Sequence, residues 1–305
     1  MKSLLIKHRT NLSGFTLVEL VVSMGVVGVV GVVMFSVLIS TMKLSSVNTA
    51  TNMSNYRTRQ ALDRLASHVH YDGMDIPVQI NADGSTIASG TTSDGIVIKH
   101  FLGAGYSFIN SDGSTKDISK GTSKFDIQYA TAGDGTLPQD YDYFLVASST
   151  APELQVAAGG VSSPTTAGGI TTVTVQMLQS TTETLTPSAF KVTAVRYRKE
   201  AYIFVQNGTS SYWTLRYYKM VYPGMSYSDP GKYFVLGTGF QKQGTQAWFT
   251  NTPDSTNNTQ AIWLHALVRS SGHNEYAEHI DGRNTQTTMP LQIKLWSYTA
   301  PPTSN

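Results

Sequence analysis

Gly14-Phe15-Thr16-Leu17-Val18-Glu19-Leu20 opens a long apolar run, and its reading decides the rest of the chain. From Leu20 to Met42 no residue is charged, and the only polar side chains are Ser23, Ser36, Ser40 and Thr41. A helix of that length covers about 30–35 Å, against a hydrocarbon core of about 30 Å. The run is therefore read as a transmembrane helix. Lys2, Lys7, His8 and Arg9 precede it, and Lys43 is the first charge after it. A basic flank stays cytoplasmic, which puts the larger C-terminal part across the membrane. A cleavable secretory signal fits poorly, because its apolar region is roughly 7–15 residues long and ends in a small-x-small site. Glu19 stands at the helix entrance, where a carboxylate needs a partner or a neutral form. Gly25, Gly28 and Gly31 punctuate the helix. Small residues on one face permit close helix packing, although glycine is also ordinary in membrane helices.

Gly14 to Glu19 resembles the prepilin signature of type IV pilins and type II secretion pseudopilins: a basic leader, a glycine, a phenylalanine, and a glutamate as fifth residue after the glycine. The resemblance covers about the first 42 residues directly. It implies that prepilin peptidase cuts between Gly14 and Phe15 and that the new amine of Phe15 is methylated. It also implies that Glu19 pairs with the N-terminal amine of a neighbouring subunit in a fibre. Buried carboxylate and ammonium groups are tolerable only as a pair, so such a contact would set the stagger between helices. The leader charges are Lys2, Lys7 and Arg9.

Helical periodicity continues beyond the membrane. No Pro or Gly occurs from Lys43 to Tyr71, and Leu44, Val47, Thr51, Met53, Tyr56, Ala61, Leu62, Leu65 and Val69 form a stripe. Gly73 and Pro77 end the pattern. Phe15 to Tyr71 is thus one expected helix of about 57 residues, roughly 85 Å long. Arg57 to Leu65 is similar to the post-membrane helix of J-type minor pseudopilins and related minor pilins.

After Gly73 the composition shifts to Ser, Thr, Gly, Tyr and β-branched residues, with short alternating runs. Expected strands are Gly95–Leu102, Lys124–Tyr129, Tyr143–Ser148, Thr171–Met177, Ala189–Arg198, Ala201–Gln206, Tyr212–Met220, Tyr233–Phe240, Ala261–Val268 and Leu291–Tyr298. Asn207-Gly208 is the strongest hairpin signal. Ala147–Gly169 and Thr250–Thr259 read as polar surface loops. The expected fold class is α+β, a long N-terminal helix packed on an antiparallel β-rich, pilin-like head. The segments are a leader at 1–14, a transmembrane and fibre-core helix at 15–42, an amphipathic helix at 43–72 and the head at 73–305.

The absence of cysteine excludes disulfides, thiolate metal sites and cysteine nucleophiles. With 22 basic and 20 acidic residues the chain lacks the basic excess of a nucleic-acid binder. Lys2, Lys7 and Arg9 all precede the glycine and no acid does, so the chain after it has 19 basic and 20 acidic residues. Its mild positive charge is a topology signal. No Gly-x-Ser-x-Gly, Walker, dinucleotide or His-Glu-x-x-His motif occurs. His273 to Asp281 carries histidines and carboxylates, but not at the spacing of a zinc site. Pseudopilins of the family it resembles can bind calcium in a loop, and Asp112, Asp117, Asp140 and Asp142 offer oxygen ligands. The full calcium-loop pattern is missing and turn chemistry explains Asp112-Gly113 better. No metal or other cofactor is therefore expected. The aromatic run Tyr197, Tyr202, Tyr212, Trp213, Tyr217 and Tyr218 reads as cross-strand pairing sooner than as a glycan-binding surface.

These readings converge on a non-enzymatic structural subunit of a type II secretion pseudopilus or a type IV pilus. A large head favours a minor subunit. Glu19 favours a J-type or other minor pilin over the K-type tip subunit, which typically lacks it. Expected partners are prepilin peptidase, the inner-membrane assembly platform, other pilins through helix packing, and membrane lipid before assembly. Expected location is the bacterial inner membrane with a periplasmic head, then the fibre. The alternative is a membrane-anchored adhesin, lectin or enzyme that uses a pilin-type export signal.

Overall fold

A computed structural model describes residues 16–87, 92–110, 114, 117–131, 136–148, 150–186, 192–206, 208, 212–242, 244–254, 259–271 and 287–299. The chain is α+β: one N-terminal helix, α1 (Leu17–Tyr71), then a β-rich domain. Two compact units divide it, the first holding α1 up to Met53 and the second holding Ser54 onward through the strands.

In the first unit α1 is exposed along its apolar length. Leu17–Ser46 is long and apolar enough to cross a membrane, by length and composition. Its hydroxyls turn inward on the helix backbone: Ser23 Oγ donates to the Leu20 carbonyl, Ser40 Oγ to Ser36 and Thr41 Oγ1 to Val37, each at 2.9–3.0 Å. Local back-bonding satisfies these groups without solvent.

The second unit is built on two long strands, β3 (Gly95–Ile109) and β9 (Val192–Gln206), which pair antiparallel from Gly95↔Ile203 to Phe108↔Val192. Between them in sequence lie β4 (Lys124–Ala130), β5 (Tyr143–Val146), β6 (Glu153–Val161), β7 (Thr165–Ala167) and β8 (Ile170–Met177). The pairings β3–β4–β8–β6–β5–β9 return to β3, so six strands close an antiparallel barrel. Its interior holds Tyr106, Phe108, Phe125, Ile127, Phe144, Val156 and Val175, all fully buried. Closure removes the edges that an open sheet would expose. Shifts in β3 between Phe101 and Tyr106, with Gly103 and Gly105 at φ 145° and 80°, bend the strand as it enters the barrel.

Beyond the barrel the same two strands form a wing. β1 (Val78–Ile80) pairs with β3, while β10 (Trp213–Tyr218) and β11 (Phe234–Phe240) extend from β9. A second sheet orders as β14–β13–β12–β2, from Thr287–Thr299, Thr259–Ser271, Phe249–Asp254 and Thr92–Ser93. The last turns of α1 pack here: Ala61, Leu62, Leu65 and Val69 bury against Ile96, Ile98, Phe204, Leu215, Trp248 and Phe249. Spacing of three and four residues puts this quartet on one helix face. Leu65 is fully buried, so Leu65→Ala is expected to destabilise the head by about 2–5 kcal/mol, lost transfer energy plus a cavity. Urea melts of wild type and variant in matched detergent measure it.

Several sequence expectations need correction. Ala147–Gly169 is not a loop; it carries β6 and β7, and β6 is a barrel stave. Its Ala and Gly content hides a strand whose backbone pairs but whose inward side chains are few, chiefly Leu154 and Val156. The second expected loop, Thr250–Thr259, begins inside β12 (Phe249–Asp254), which pairs with both β13 and β2. Ala189–Arg198 and Ala201–Gln206 are one strand, because the intervening Lys199-Glu200 is accommodated: Lys199 lies over the Tyr143 ring and Glu200 is hydrogen-bonded. The hairpin between β9 and β10 exists, but Gln206 pairs with Trp213, so its connection is longer than two residues. Of the helix stripe only its last quartet is buried; Leu44, Met53 and Tyr56 are exposed, and the side chains of Val47 and Thr51 lie outside the described set.

Candidate functional site

Two regions concentrate groups whose placement asks for a functional account. The first is the start of α1. Thr16 and Glu19 form a capping box: the Thr16 N–H and Oγ1 each donate to Glu19 Oε2 at 3.0 Å, and the Glu19 N–H reaches Thr16 Oγ1 at 3.3 Å. Such reciprocal bonds satisfy donors that a helix start leaves open. Both contacts use one carboxylate oxygen. Among the described residues, nothing lies within 4 Å of where a Cβ on Gly25, Gly28 or Gly31 would stand, so none of these requires glycine there. Gly14, Phe15, Lys2, Lys7 and Arg9 lie outside the described residues.

The second region lies on the head, where the chain leaves α1. Gly73 forms a bridge with His100, the Met74 N–H donates to the Lys99 carbonyl at 2.9 Å, and the Phe101 N–H to the Asp72 carbonyl at 3.0 Å. A Cβ on Gly73 would come within 2.6 Å of the Val69 carbonyl oxygen, so this reversal needs glycine. The reversal brings the helix end beside the even-numbered face of β9. That face runs from Val192 and Ala194 in the barrel, through Arg196, Arg198 and Glu200, to Tyr202 and Phe204 in the helix-side core.

The charged middle of that face is paired. Asp142, fully buried, meets Arg198 through Nη2–Oδ1 at 2.7 Å and Nε–Oδ1 at 2.8 Å, and accepts from the Gln139 N–H at 2.9 Å. Arg196 stands 3.8 Å from Asp142, donates to the carbonyl and hydroxyl oxygens of Thr136, and covers the Tyr106 ring. Glu200 is 2% exposed. It accepts from Tyr217 Oη at 2.6 Å and from His100 Nδ1 at 2.8 Å. His68 Nε2 faces Glu200 Oε2 at 3.5 Å and Asp72 Oδ2 at 3.3 Å, and its Nδ1 contacts Tyr202 Oη. The hydrogen bond to Glu200 raises the pKa of His100. Burial lowers that of His68, against the pull of Glu200. Burial, then Glu200, pushes the Tyr217 phenol up. Arg64, Ser67, His68, Asp72, Tyr202 and Tyr217 line a recess of about 250 Å³ at this point.

Among the described residues, Asp117, Asp140 and Asp142 do not come together as a ligand group. Asp142 is held by Arg198. Asp140 Oδ2 accepts from the Gly159 N–H at 2.9 Å. Asp112 lies outside the described residues, as does His273 to Asp281. Of the aromatic run, Tyr197, Tyr202 and Tyr218 are buried, and Tyr202 stacks on its cross-strand partner Tyr217 with centroids 5.0 Å apart. The cluster of His68, Asp72, His100 and Glu200 was not anticipated. Its one local signal is His68-x-x-x-Asp72 at the helix end, where residues four apart share a face. His100 and Glu200 join only through the β3–β9 register. Comparison of the chain with protein-family models, curated proteins and solved structures gives no match.

Proposed function

We infer that the chain belongs to the class of pilin-type structural subunits, made as a single-pass inner-membrane precursor and built into a fibre through its N-terminal helix. Within that class the reading is a minor subunit, J-type or related, of a type II secretion pseudopilus or a type IV pilus. The observation that carries it is Gly14-Phe15 with Glu19 behind a basic, acid-free leader and ahead of an uncharged helix. The exposure of that helix supports the reading. So do Gly25, Gly28 and Gly31, which no described residue of the chain requires, since small residues on a helix face admit a second helix. Prepilin peptidase removes residues 1–14, Phe15 is methylated, and the head at 73–305 faces outward. The chain acts by assembly and catalyses no reaction.

Glu19 has two roles to separate. As the capping residue it steadies the first turn of its own helix. As an assembly residue it meets the Phe15 amine of a neighbour, through the oxygen that Thr16 does not use. Glu19→Ala is expected to be processed normally yet to reach sheared fibres at a level at least about tenfold lower, because a buried ammonium is left without its partner. Thr16→Ala removes the cap, worth about 0.5–2 kcal/mol of helix stability, and is expected to assemble. Equal defects in the two variants would assign Glu19 to capping alone, and wild-type recovery of Glu19→Ala would end the pairing role.

A further inference from the structure

We propose that His68, Asp72 and His100 form a binding site for a divalent transition metal of the zinc class, held in place by Glu200, at the junction of α1 and the sheet. One ligand atom from each of the three residues lies within 4.8 Å of the other two. Imidazole and carboxylate groups are the donors this class of ion takes, whereas calcium takes oxygen alone. One pair of ligands already stands at the spacing of a bound ion, and the widest pair, up to 4.8 Å apart, must close by about 1 Å as the ion binds. Ligands about 2.0–2.1 Å from a tetrahedral ion stand about 3.3–3.4 Å from one another. His68 Nε2 lies 3.3 Å from Asp72 Oδ2.

The surroundings orient the ligands as a metal site requires. A metal-binding imidazole normally gives its other nitrogen to a carboxylate or another acceptor. Glu200 Oε1 accepts from His100 Nδ1 at 2.8 Å, which leaves the ring's lone pair on Nε2. Tyr202 Oη occupies Nδ1 of His68, which directs Nε2 toward Asp72. Tyr217 Oη in turn holds Glu200 at 2.6 Å. Asp72 and Glu200 bring two carboxylates to the two imidazoles, with Arg64 acting on His68 and Arg198 on His100 from the other side. The three residues come from segments already bonded through their backbones at Gly73 and His100, so the closure left to the ion is one of side chains. The recess beside Asp72 gives an entry path and room for a water as the fourth ligand. This site is independent of fibre assembly.

The test uses the full chain in detergent, without a histidine tag, stripped by chelator and titrated with zinc by calorimetry. One zinc per chain is expected, with a rise in melting temperature that follows zinc concentration, since an ion bound only by the folded state stabilises it by mass action. Cobalt in place of zinc is expected to give the intense visible bands of tetrahedral coordination. Asp72→Asn, at a half-exposed position that tolerates change, is expected to weaken zinc at least about tenfold. Glu200→Gln, acting through His100, is expected to weaken it by about 10–100-fold. The His273→Gln, His279→Gln double variant is expected to bind like wild type. No zinc bound by the wild type, or zinc lost in that double variant and retained in Asp72→Asn, overturns the proposal.

Discussion

Co-expression with an active prepilin peptidase is expected to shorten the chain by its first 14 residues, and Gly14→Ala is expected to block or slow that cut. The processing half of the proposed function depends on this result. The proposed cut follows Gly14, the one residue type without a Cβ, and any substitute would add a side chain next to the scissile bond. Intact-mass spectrometry should show a new N-terminus at Phe15 carrying one added methyl group. Thr16 and Glu19 lie after the cut, and the Thr16 amide that donates to Glu19 survives it, so the capping box persists in the processed chain. A full-length chain in cells that process a control prepilin would remove the family reading at its base. Cutting of Gly14→Ala at the wild-type rate would show that the bond is chosen by something other than the glycine.

The second large effect concerns the head. Asp142→Ala is expected to destabilise it by about 3–5 kcal/mol. The substitution leaves Arg198 and Arg196, which are 6% and 2% exposed, without their carboxylate. Among the described residues, Arg198 then keeps its bond to Gln139, and Arg196 keeps Thr136 and the Tyr106 ring. The comparison that isolates the cause is the double variant Asp142→Leu, Arg198→Met. Replacing both partners with apolar groups of similar volume can be nearly neutral. It should recover the part of the loss owed to Arg198 and leave the part owed to Arg196. Urea unfolding followed by near-ultraviolet circular dichroism measures both. A loss below about 1 kcal/mol for Asp142→Ala would mean that water reaches this end of the barrel and screens the pair.

Elements with a dense local signal were legible in the chain. The apolar run, its basic flank and the Gly14 to Glu19 motif are contiguous, so the helix needed no tertiary information. Strands such as Lys124–Ala130 and Ile170–Met177 alternate large and small residues and were read nearly to their ends. β6 and β12 were missed because side-chain pattern reports burial, whereas these strands are defined by backbone pairing with few inward apolar groups. The barrel could not be read at all: its closure is a register between β3 and β9, and no local sequence encodes it. The same limit explains the candidate sites. Gly14, Phe15 and Glu19 share one motif, while His68, His100 and Glu200 sit on three segments joined by that register and by the Gly73–His100 bridge. Asp140 and Asp142 looked like paired oxygen ligands; their side chains go to a backbone amide and to a buried arginine instead.

The sharing of β3 and β9 between barrel and wing also dictates an order of events during synthesis. Gly95 pairs with Ile203, and Ser93 with Phe249, so partners more than a hundred residues apart must meet. Loops of that size make closure slow. Until β9 has emerged, neither the barrel nor the wing can form. Until β12 follows, Leu62, Leu65 and Val69 lack the cover of Trp248 and Phe249. A nascent chain therefore presents a long apolar helix and an unsealed packing face together, for as long as its last third is still being made. Escorting that intermediate is a task for the cell's holding chaperones, and chains truncated before β12 are the ones that proteases should clear.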